Sequence, residues 1–372
     1  MVEVLPDLDQ PQVNSCPKIK ARIALSRPFD LARHDAAAAR GVCPRHTMSL
    51  LRDALDADII VPMLGEKTLG DRALAIVPGI GTPELWGLAR RVAHSTSPGD
   101  VVFSIGEDTG FPIALHFARL KARPKLVVFV HHPERPRVRA LFKLTQVKKH
   151  VDLFITNTEY KATFLREAFG IEAERVVCID EQTDTEFFTP GPKADAARPL
   201  IGSGGLEQRD YVTLAAATTD MGWDVRVSAV SPNAAAKADT FPSPLPDHMV
   251  VAHHEWQELR DLYRNSDVFV ISLKEHTYQA GLTTLFEALA CRRPVVMTRV
   301  PGLVEDFADN GFITAVPPGD ATAMREAIRG LLDDPERAAR QAALGYDAVR
   351  AQYRAERYVE TLAEKISTTA SL

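Results

Sequence analysis

A glycine-containing loop that leads into a helix, at residues 278–296, combines the groups that a nucleotide requires. Gly281 stands before the helix, where a glycine leaves backbone N–H groups unpaired and lets a ligand approach them. These donors and the positive end of the helix dipole favour a phosphate. Glu287 follows about one turn into the helix, and its carboxylate can accept hydrogen bonds from a sugar diol. The pattern predicts a nucleotide site, although an ordinary strand–helix–strand unit would show the same residues.

Apolar strands alternate with helices of about ten residues along the chain, which is typical of parallel, doubly wound sheets. Strands are predicted at residues 22–26, near Ile59, near Ile76, from Asp100 and from Lys125. Further strand–helix units follow later in the chain. Ligands bind such sheets at the carboxyl ends of the strands. Four side chains are expected at this edge, beside a cleft: Glu107, Asp108, His131 and His132.

Composition narrows the class of protein. The chain has 372 residues, enough for two domains, and its 45% hydrophobic and 25% charged residues are typical of globular proteins. A formal charge of -5 argues against a general nucleic-acid binder. We expect neither a signal peptide in the first twenty residues nor a membrane span. The four cysteines lack metal-ligand spacing, so that a cytoplasmic protein with reduced thiols is predicted.

The segment from Gln279 to Val296 resembles the donor-site signature of the retaining glycosyltransferases of family 4 (group 1), which have the GT-B fold. That family has E-G-F-G-L, three variable residues and E-A-x-A-x-G-x-P-V-V. Here Gln279 takes the first Glu position, Glu287 to Ala290 match the second half, and Arg292 replaces the usual Gly. Further likeness lies in Asp184 with the F-x-P that follows, and in the P-P-G-D turn at residues 317–320. The resemblance implies an α/β fold of two Rossmann-like doubly wound domains that face each other across a cleft.

The same resemblance divides the chain into segments. Residues 1–20 are expected to form a flexible arm, and residues 21–192 the amino-terminal domain that binds the acceptor. A polar linker rich in Pro and Gly follows. Residues 199–345 are expected to form the nucleotide-sugar domain, and residues 346–372 a helix that crosses back to the first domain.

The resemblance also implies roles for individual residues in the donor site. Arg209 falls near the position of the family's Lys, which grips the donor pyrophosphate, and no basic residue occupies the usual Arg position. His131 matches the family His that contacts the transferred sugar, and Gln279 would meet the sugar hydroxyls. No metal and no cofactor are implied. The implied donor-binding residues are Gly204, Gly205, Arg209, Gly281, Leu282, Thr283 and Glu287.

In this family the loop after the first strand faces the acceptor. Candidate acceptor contacts are therefore Arg27, His34, Arg40, Arg45 and His46, together with Glu107 and Asp108 at the cleft. For each loop residue a solvated surface position explains the sequence as well. The acceptor would be a small molecule, a glycan or a lipid.

A basic run from Arg135 to Lys149 carries a few interleaved apolar residues. It allows a weak contact with a membrane surface, at the inner face of the membrane, or an ordinary amphipathic surface helix. We favour the surface helix, because the apolar residues are too few for strong insertion.

Three functions fit these motifs. The favoured one is transfer of a sugar, with retention, from a nucleotide donor, for which a UDP-sugar is preferred over GDP- and ADP-sugars. A sugar-nucleotide 2-epimerase of the same fold would handle no acceptor. A non-catalytic two-domain nucleotide-sugar binding protein would explain Gln279 in place of a carboxylate and the missing Arg.

Overall fold

The computed structural model describes residues 20–76, 80–229, 239–276, 280–300 and 303–372. Gln279 and the predicted arm, apart from Lys20, lie outside the described residues.

The first domain is built on a parallel sheet. Its strands are β1 (Ala21–Ala24), β2 (Asp58–Ile60), β3 (Val101–Ser104), β4 (Lys125–Phe129), β5 (Leu153–Thr156) and β6 (Val176–Cys178). Within the described residues these six strands run in the order β2-β1-β3-β4-β5-β6, and every neighbouring pair is parallel. The strand order reverses between β1 and β3, so the loops after these strands open a crevice at their carboxyl ends.

Helices cover both faces of this sheet. They are α1 (Leu31–Ala39), α2 (Thr47–Leu55), α3 (Leu69–Ile76), α4 (Pro83–Ser95), α5 (Glu107–Phe117), α6 (Pro136–Leu144) and α7 (Glu159–Phe169). The strand predicted near Ile76 is wrong, because this residue ends helix α3. The buried Asp71 fixes that helix: its carboxylate accepts hydrogen bonds from the Thr68 N–H and from Arg90 on α4.

The second domain has a sheet of its own. Its strands are β7 (Leu200–Gly204), β8 (Asp224–Ser228), β9 (Met249–Ala252), β10 (Val268–Ile271), β11 (Val295–Thr298) and β12 (Thr314–Val316). In the described part of the domain they run in the order β12-β11-β10-β7-β8-β9, all parallel. This is the strand order of dinucleotide-binding domains, with the switch point between β7 and β10. The two doubly wound α/β domains predicted from the sequence are thereby confirmed.

Seven helices follow β7 along the chain in the described residues. They are α8 (Tyr211–Thr218), α9 (Trp256–Asn265), α10 (Leu282–Ala290), α11 (Leu303–Asp309), α12 (Ala321–Leu332), α13 (Pro335–Gln352) and α14 (Ala355–Ser371).

The last two helices belong to different domains. Val349 of α13 packs in the second domain, in the same buried cluster as Leu289 of α10. The chain then passes to the first domain beside Thr183, which donates its N–H to the Tyr353 carbonyl at 2.9 Å and accepts from the Ala355 N–H at 2.9 Å. From α14, the buried Val359, Leu362 and Ile366 pack in one cluster with the apolar residues of β1, β3 and β4. The first domain therefore completes its core with residues from the end of the chain.

The basic helix α6 turns three of its apolar residues inward, while Leu144 at its end is exposed. Val138 and Leu141 are fully buried, and the Phe142 ring stacks on Phe169 with 3.9 Å between ring centroids. These side chains, which a membrane contact would need, are committed to the core of the first domain. The structure therefore favours the amphipathic surface helix. Among the described helices, none combines the length and the apolar character that crossing a bilayer requires.

Candidate functional site

The loop after β7 wraps around the guanidinium group of Arg209. Its Nε donates to the Gly204 carbonyl at 2.7 Å, Nη1 to the Glu207 carbonyl at 2.8 Å, and Nη2 to the Thr284 hydroxyl at 3.1 Å. The residue is only 3% exposed. These bonds fix a buried cation beside the first turn of α10, at the switch point of the second sheet.

Gly205 leaves the space that this guanidinium fills. Its φ is +92°, and a Cβ placed on it would lie 2.4 Å from Nη2 of Arg209. Any side chain at this position would strain the backbone and displace Arg209. This explains why a glycine stands at this position.

Helix α10 begins with a glycine cap. Gly281 adopts a φ of +84°, and a Cβ there would approach the Ile271 side chain to 3.1 Å. Because glycine has no side-chain acceptor, Gly281 cannot cap the backbone N–H groups of Leu282 and Thr283 in the first turn of the helix. These groups and the helix dipole make the start of α10 a region that attracts anions.

A cavity of about 160 Å³ separates this helix end from the first domain. The first domain contributes His131, His132, Asn157, Lys161 and Glu181, and the second contributes Glu207, Ala280, Gly281, Leu282 and Thr283. The fold thus brings the predicted His131 opposite the predicted anion site of α10.

His131 follows β4, and two hydrogen bonds hold it. Its backbone N–H donates to the Glu107 carboxylate at 2.8 Å, and its Nε2 lies 2.8 Å from the Ile105 carbonyl. Because a carbonyl only accepts, Nε2 must carry the proton in this contact, which leaves Nδ1 as an acceptor. The buried Glu107 thus positions His131, and the acceptor contact predicted for Glu107 stays a prediction. Burial and the adjacent Glu107 raise the pKa of Asp108.

A second cavity, of about 230 Å³, lies on the first-domain side of His131. Its lining consists of His46, Thr47, Met48, Phe103, Ile105, Phe129, His131, Glu181, Gln182 and Tyr358. His131 and Glu181 line both cavities, so they stand where the two meet. The His46 Nδ1 accepts from the Met48 N–H at 3.2 Å, and burial lowers the pKa of this imidazole. A neutral His46 therefore faces the second cavity.

Arg45 holds an ion pair within the first domain, and the acceptor contact predicted for it stays a prediction. Its Nε donates to Asp184 at 3.0 Å, its backbone N–H donates to the same carboxylate at 2.7 Å, and Nη2 reaches Glu356 of α14 at 2.5 Å. Asp184 is only 4% exposed, so Arg45 neutralises a buried charge. Arg27 is exposed and lines neither cavity.

We expect Arg45→Ala to lower the free energy of unfolding by roughly 1.5–3 kcal/mol, because the buried Asp184 loses its charged partner. Urea denaturation measures this, with Arg27→Ala as the control, for which a change within about 0.5 kcal/mol is expected. Unchanged stability with a raised KM for the acceptor would instead return Arg45 to the acceptor site.

Glu287 lies behind the cavity lining, inside the second domain. One carboxylate oxygen accepts from the Tyr263 hydroxyl at 2.6 Å, and the residue is 7% exposed. Burial raises the pKa of this carboxyl group to about 7, although the Tyr263 hydrogen bond acts in the opposite direction. The ribose contact expected for Glu287 stays a prediction.

Sequence reasoning missed Asn157, Lys161 and Glu207. Lys161 lies in the first turn of α7, and its Nζ donates to Asn157 Oδ1 at 2.8 Å. Asn157 directly follows β5, so the rule that singled out His131 at a strand end would have found it. In the described residues no group of three His, Cys, Asp or Glu side chains is arranged to hold a metal ion.

Comparison with known proteins gives relatives for the sequence. The family model of glycosyl transferases group 1 matches residues 214–334. A D-inositol 3-phosphate glycosyltransferase of Stackebrandtia nassauensis is 28% identical over 291 residues, 68% of this chain and 62% of the relative. D-inositol 3-phosphate glycosyltransferase 2 of Catenulispora acidiphila is 30% identical over 227 residues, 52% of this chain and 51% of the relative. The chain thus spans about half to six tenths of the length of these curated relatives.

Solved structures resemble the fold over nearly the whole chain. Sucrose-phosphate synthase of Thermosynechococcus elongatus superposes with a TM-score of 0.71 at 15% identity, covering 95% of this chain and 99% of the other. HepE of Anabaena, in complex with UDP and glucose, gives a TM-score of 0.67 at 15% identity, covering 93% and 99%. At such identity the likeness concerns the fold, and the predicted arrangement of two Rossmann-like domains across a cleft is confirmed.

Proposed function

We propose that this chain, which belongs to the group 1 glycosyl transferases and has their GT-B fold, transfers a sugar from a nucleotide-sugar donor to a small hydroxylated acceptor. The observation that carries the proposal is the cavity in which His131 of one domain faces the start of α10 in the other. A UDP-sugar is the favoured donor, because the structural neighbour HepE is known in complex with UDP and with UDP-glucose.

In this proposal the second domain stabilises the departing diphosphate. The N–H groups at the start of α10 donate to the phosphates, and the Arg209 guanidinium adds a positive charge behind them. Both are fixed before the ligand arrives, so little reorganisation opposes the reaction. Such stabilisation requires no metal ion, and we propose that the reaction proceeds without one.

The first domain would hold the sugar and the acceptor. His131 touches the transferred sugar, because it stands where the two cavities meet. Gln279, outside the described residues, keeps its predicted contact with the sugar hydroxyls. The second cavity would receive the acceptor between the aromatic rings of Phe103, Phe129 and Tyr358. The named acceptor class of the curated relatives, an inositol phosphate, supports a small polyol acceptor.

We further propose that transfer retains the anomeric configuration. The donor and the acceptor reach His131 from cavities that meet at one point, which suits attack on the face that the diphosphate leaves. The names of the curated relatives favour transfer over 2-epimerisation and over binding without chemistry. The anomeric product of the transfer reaction, read by NMR, tests this part of the proposal. An inverted product would contradict retention but not transfer.

Ligand-dependent thermal stability tests the donor proposal. A ligand present at a hundred times its dissociation constant stabilises the folded state by about 2.7 kcal/mol. UDP, GDP, ADP and their sugars are compared at equal concentration, and UDP is expected to raise the Tm most. Absence of any shift with all three diphosphates would overturn the proposed function, and a larger shift with GDP or ADP would correct the donor.

We expect Arg209→Ala to weaken UDP binding by about 1.5–3 kcal/mol, because the variant loses the buried positive charge that lies behind the phosphate site at the start of α10. Calorimetry measures the affinity, and Arg226→Ala, an exposed arginine of β8, serves as the matched control. Arg209→Lys keeps the charge but not the planar fork, so an intermediate loss is expected. Unchanged UDP affinity in a folded Arg209→Ala variant would remove this residue from the site.

A further inference from the structure

We propose that Lys161, on the first domain, contacts the donor phosphate next to the sugar and so closes the diphosphate site from across the cleft. This inference rests on the proposed function, since it requires a nucleoside diphosphate at the start of α10.

The fold aims Lys161 at this position. Helix α7 begins after the Thr158 cap, and Lys161 lies in its first turn, at the carboxyl end of β5. The side chain is nearly buried, with 6% exposure, yet it lines the same cavity as Gly281 and Thr283. Its ammonium group is thus the first-domain lysine or arginine charge that a ligand on α10 meets, among the described residues that line the cavity.

The cavity offers a diphosphate few positive charges, since its lining also contains the carboxylates of Glu181 and Glu207. Of the described residues that line it, Lys161 is the one lysine or arginine. Arg209 lies behind the lining, and its guanidinium already donates to the Gly204 and Glu207 carbonyls. Position 205 cannot supply a cation, because a side chain there would displace Arg209. A diphosphate carries at least two negative charges, so the cation from the other domain complements it.

Burial of the lysine also points to a ligand. A lysine is seldom buried without a charged partner, and the ammonium of Lys161 donates a hydrogen bond to a neutral amide, that of Asn157. Burial lowers the pKa of this ammonium, while the carboxylates of Glu134, Glu181, Glu107 and Glu207 favour its charged form. A phosphate oxygen would give the ammonium a directly bonded anionic partner, which Asn157 does not.

The test compares UDP with UMP, which lacks the second phosphate. Calorimetry is carried out with wild type, with Lys161→Met, which keeps the buried stem, and with Lys121→Met, an exposed lysine of the same domain, as control. For Lys161→Met the Kd of UDP should rise by about tenfold or more, the range expected for a charge-assisted hydrogen bond. The Kd of UMP should change by less than about threefold, and Lys161→Arg should recover most of the UDP affinity.

Four other outcomes would overturn the inference about Lys161, and one of them would overturn the proposed function as well. Wild type that binds neither nucleotide would overturn the proposed function, and the inference with it. If wild type binds UDP more tightly than UMP, and Lys161→Met shows the same ratio of the two affinities, the inference is overturned and the proposed function stands. Equal losses for UMP and UDP would place Lys161 away from the second phosphate and overturn it too. Failure of both Lys161 variants to fold would assign this residue to the core and likewise overturn the proposal.

Discussion

Replacing His131 by Ala is expected to lower kcat by about 100-fold or more, the loss seen when one preorganised hydrogen-bonding group is removed from a reacting centre. The reason is its position: the ring lines both the donor-side and the acceptor-side cavity. The Kd of UDP should change by less than about threefold, because the diphosphate lies on α10 and not on this ring. Steady-state kinetics and calorimetry on the same preparation measure both quantities.

His94→Ala is the matched control, since His94 is an exposed histidine of the same domain and lines neither cavity. A variant Glu107→Gln should lie between the control and His131→Ala, because Glu107 holds only the backbone N–H of His131. If His131→Ala keeps the wild-type kcat with its acceptor, the assignment of this residue is wrong.

Glu287 should give the protein a marked dependence of stability on pH. In the folded state the pKa of its carboxyl group is raised to about 7 from the ordinary value of 4.5, because burial disfavours the charge. Between these values the unfolded chain loses a proton that the folded chain retains, so that stability falls as the pH rises. The loss is on the order of 3 kcal/mol, from about 1.36 kcal/mol per pKa unit, and no further loss follows above pH 7.

Urea denaturation from pH 4.5 to pH 8 measures this fall in the wild type. Glu287→Gln keeps an acceptor for the Tyr263 hydroxyl but cannot ionise, so its unfolding free energy should be flatter across the window. Equal slopes for both proteins would show that Glu287 does not titrate as a buried acid.

The ribose contact predicted for Glu287 requires a separate measurement at pH 8. Glu287→Ala should weaken UDP by on the order of 2–3 kcal/mol if the carboxylate accepts from the ribose hydroxyls. Inorganic pyrophosphate, which has no ribose, should bind almost as before. Equal weakening of both ligands would exclude the ribose role and leave Glu287 as a structural partner of Tyr263.

The sequence predicts well those features that depend on residues close together in the chain, such as the strands, the helices and their ends. The alternation of strands and helices indicates both sheets, and the glycine before Leu282 indicates the start of α10. The short apolar run at Ile76 is misread because a few apolar residues suit a strand or a helix equally, and only Asp71 and its contact with Arg90 decide between them.

The roles that the sequence does not predict depend on distant partners. Arg45 binds Asp184 and Glu356, which are 139 and 311 positions away, so nothing near it in the chain signals an ion pair. Lys161 resembles a solvated helix residue in the sequence, and only the fold shows that it is buried and lines a cavity with residues of the second domain. Gly205 is a similar case, since its need for glycine becomes understandable only once Arg209 is seen in its space.

The packing of α14 makes the first domain discontinuous along the chain. Ile23 and Val127 share one buried cluster with Leu362 and Ile366, although more than two hundred residues separate the two groups. Protein domains generally fold in order as the ribosome releases them. In this protein the buried cluster on that face of the first sheet is complete only after the second domain and α14 have been synthesised. The two domains therefore cannot complete their folds in strict order of synthesis, because the first domain needs a helix that follows the second.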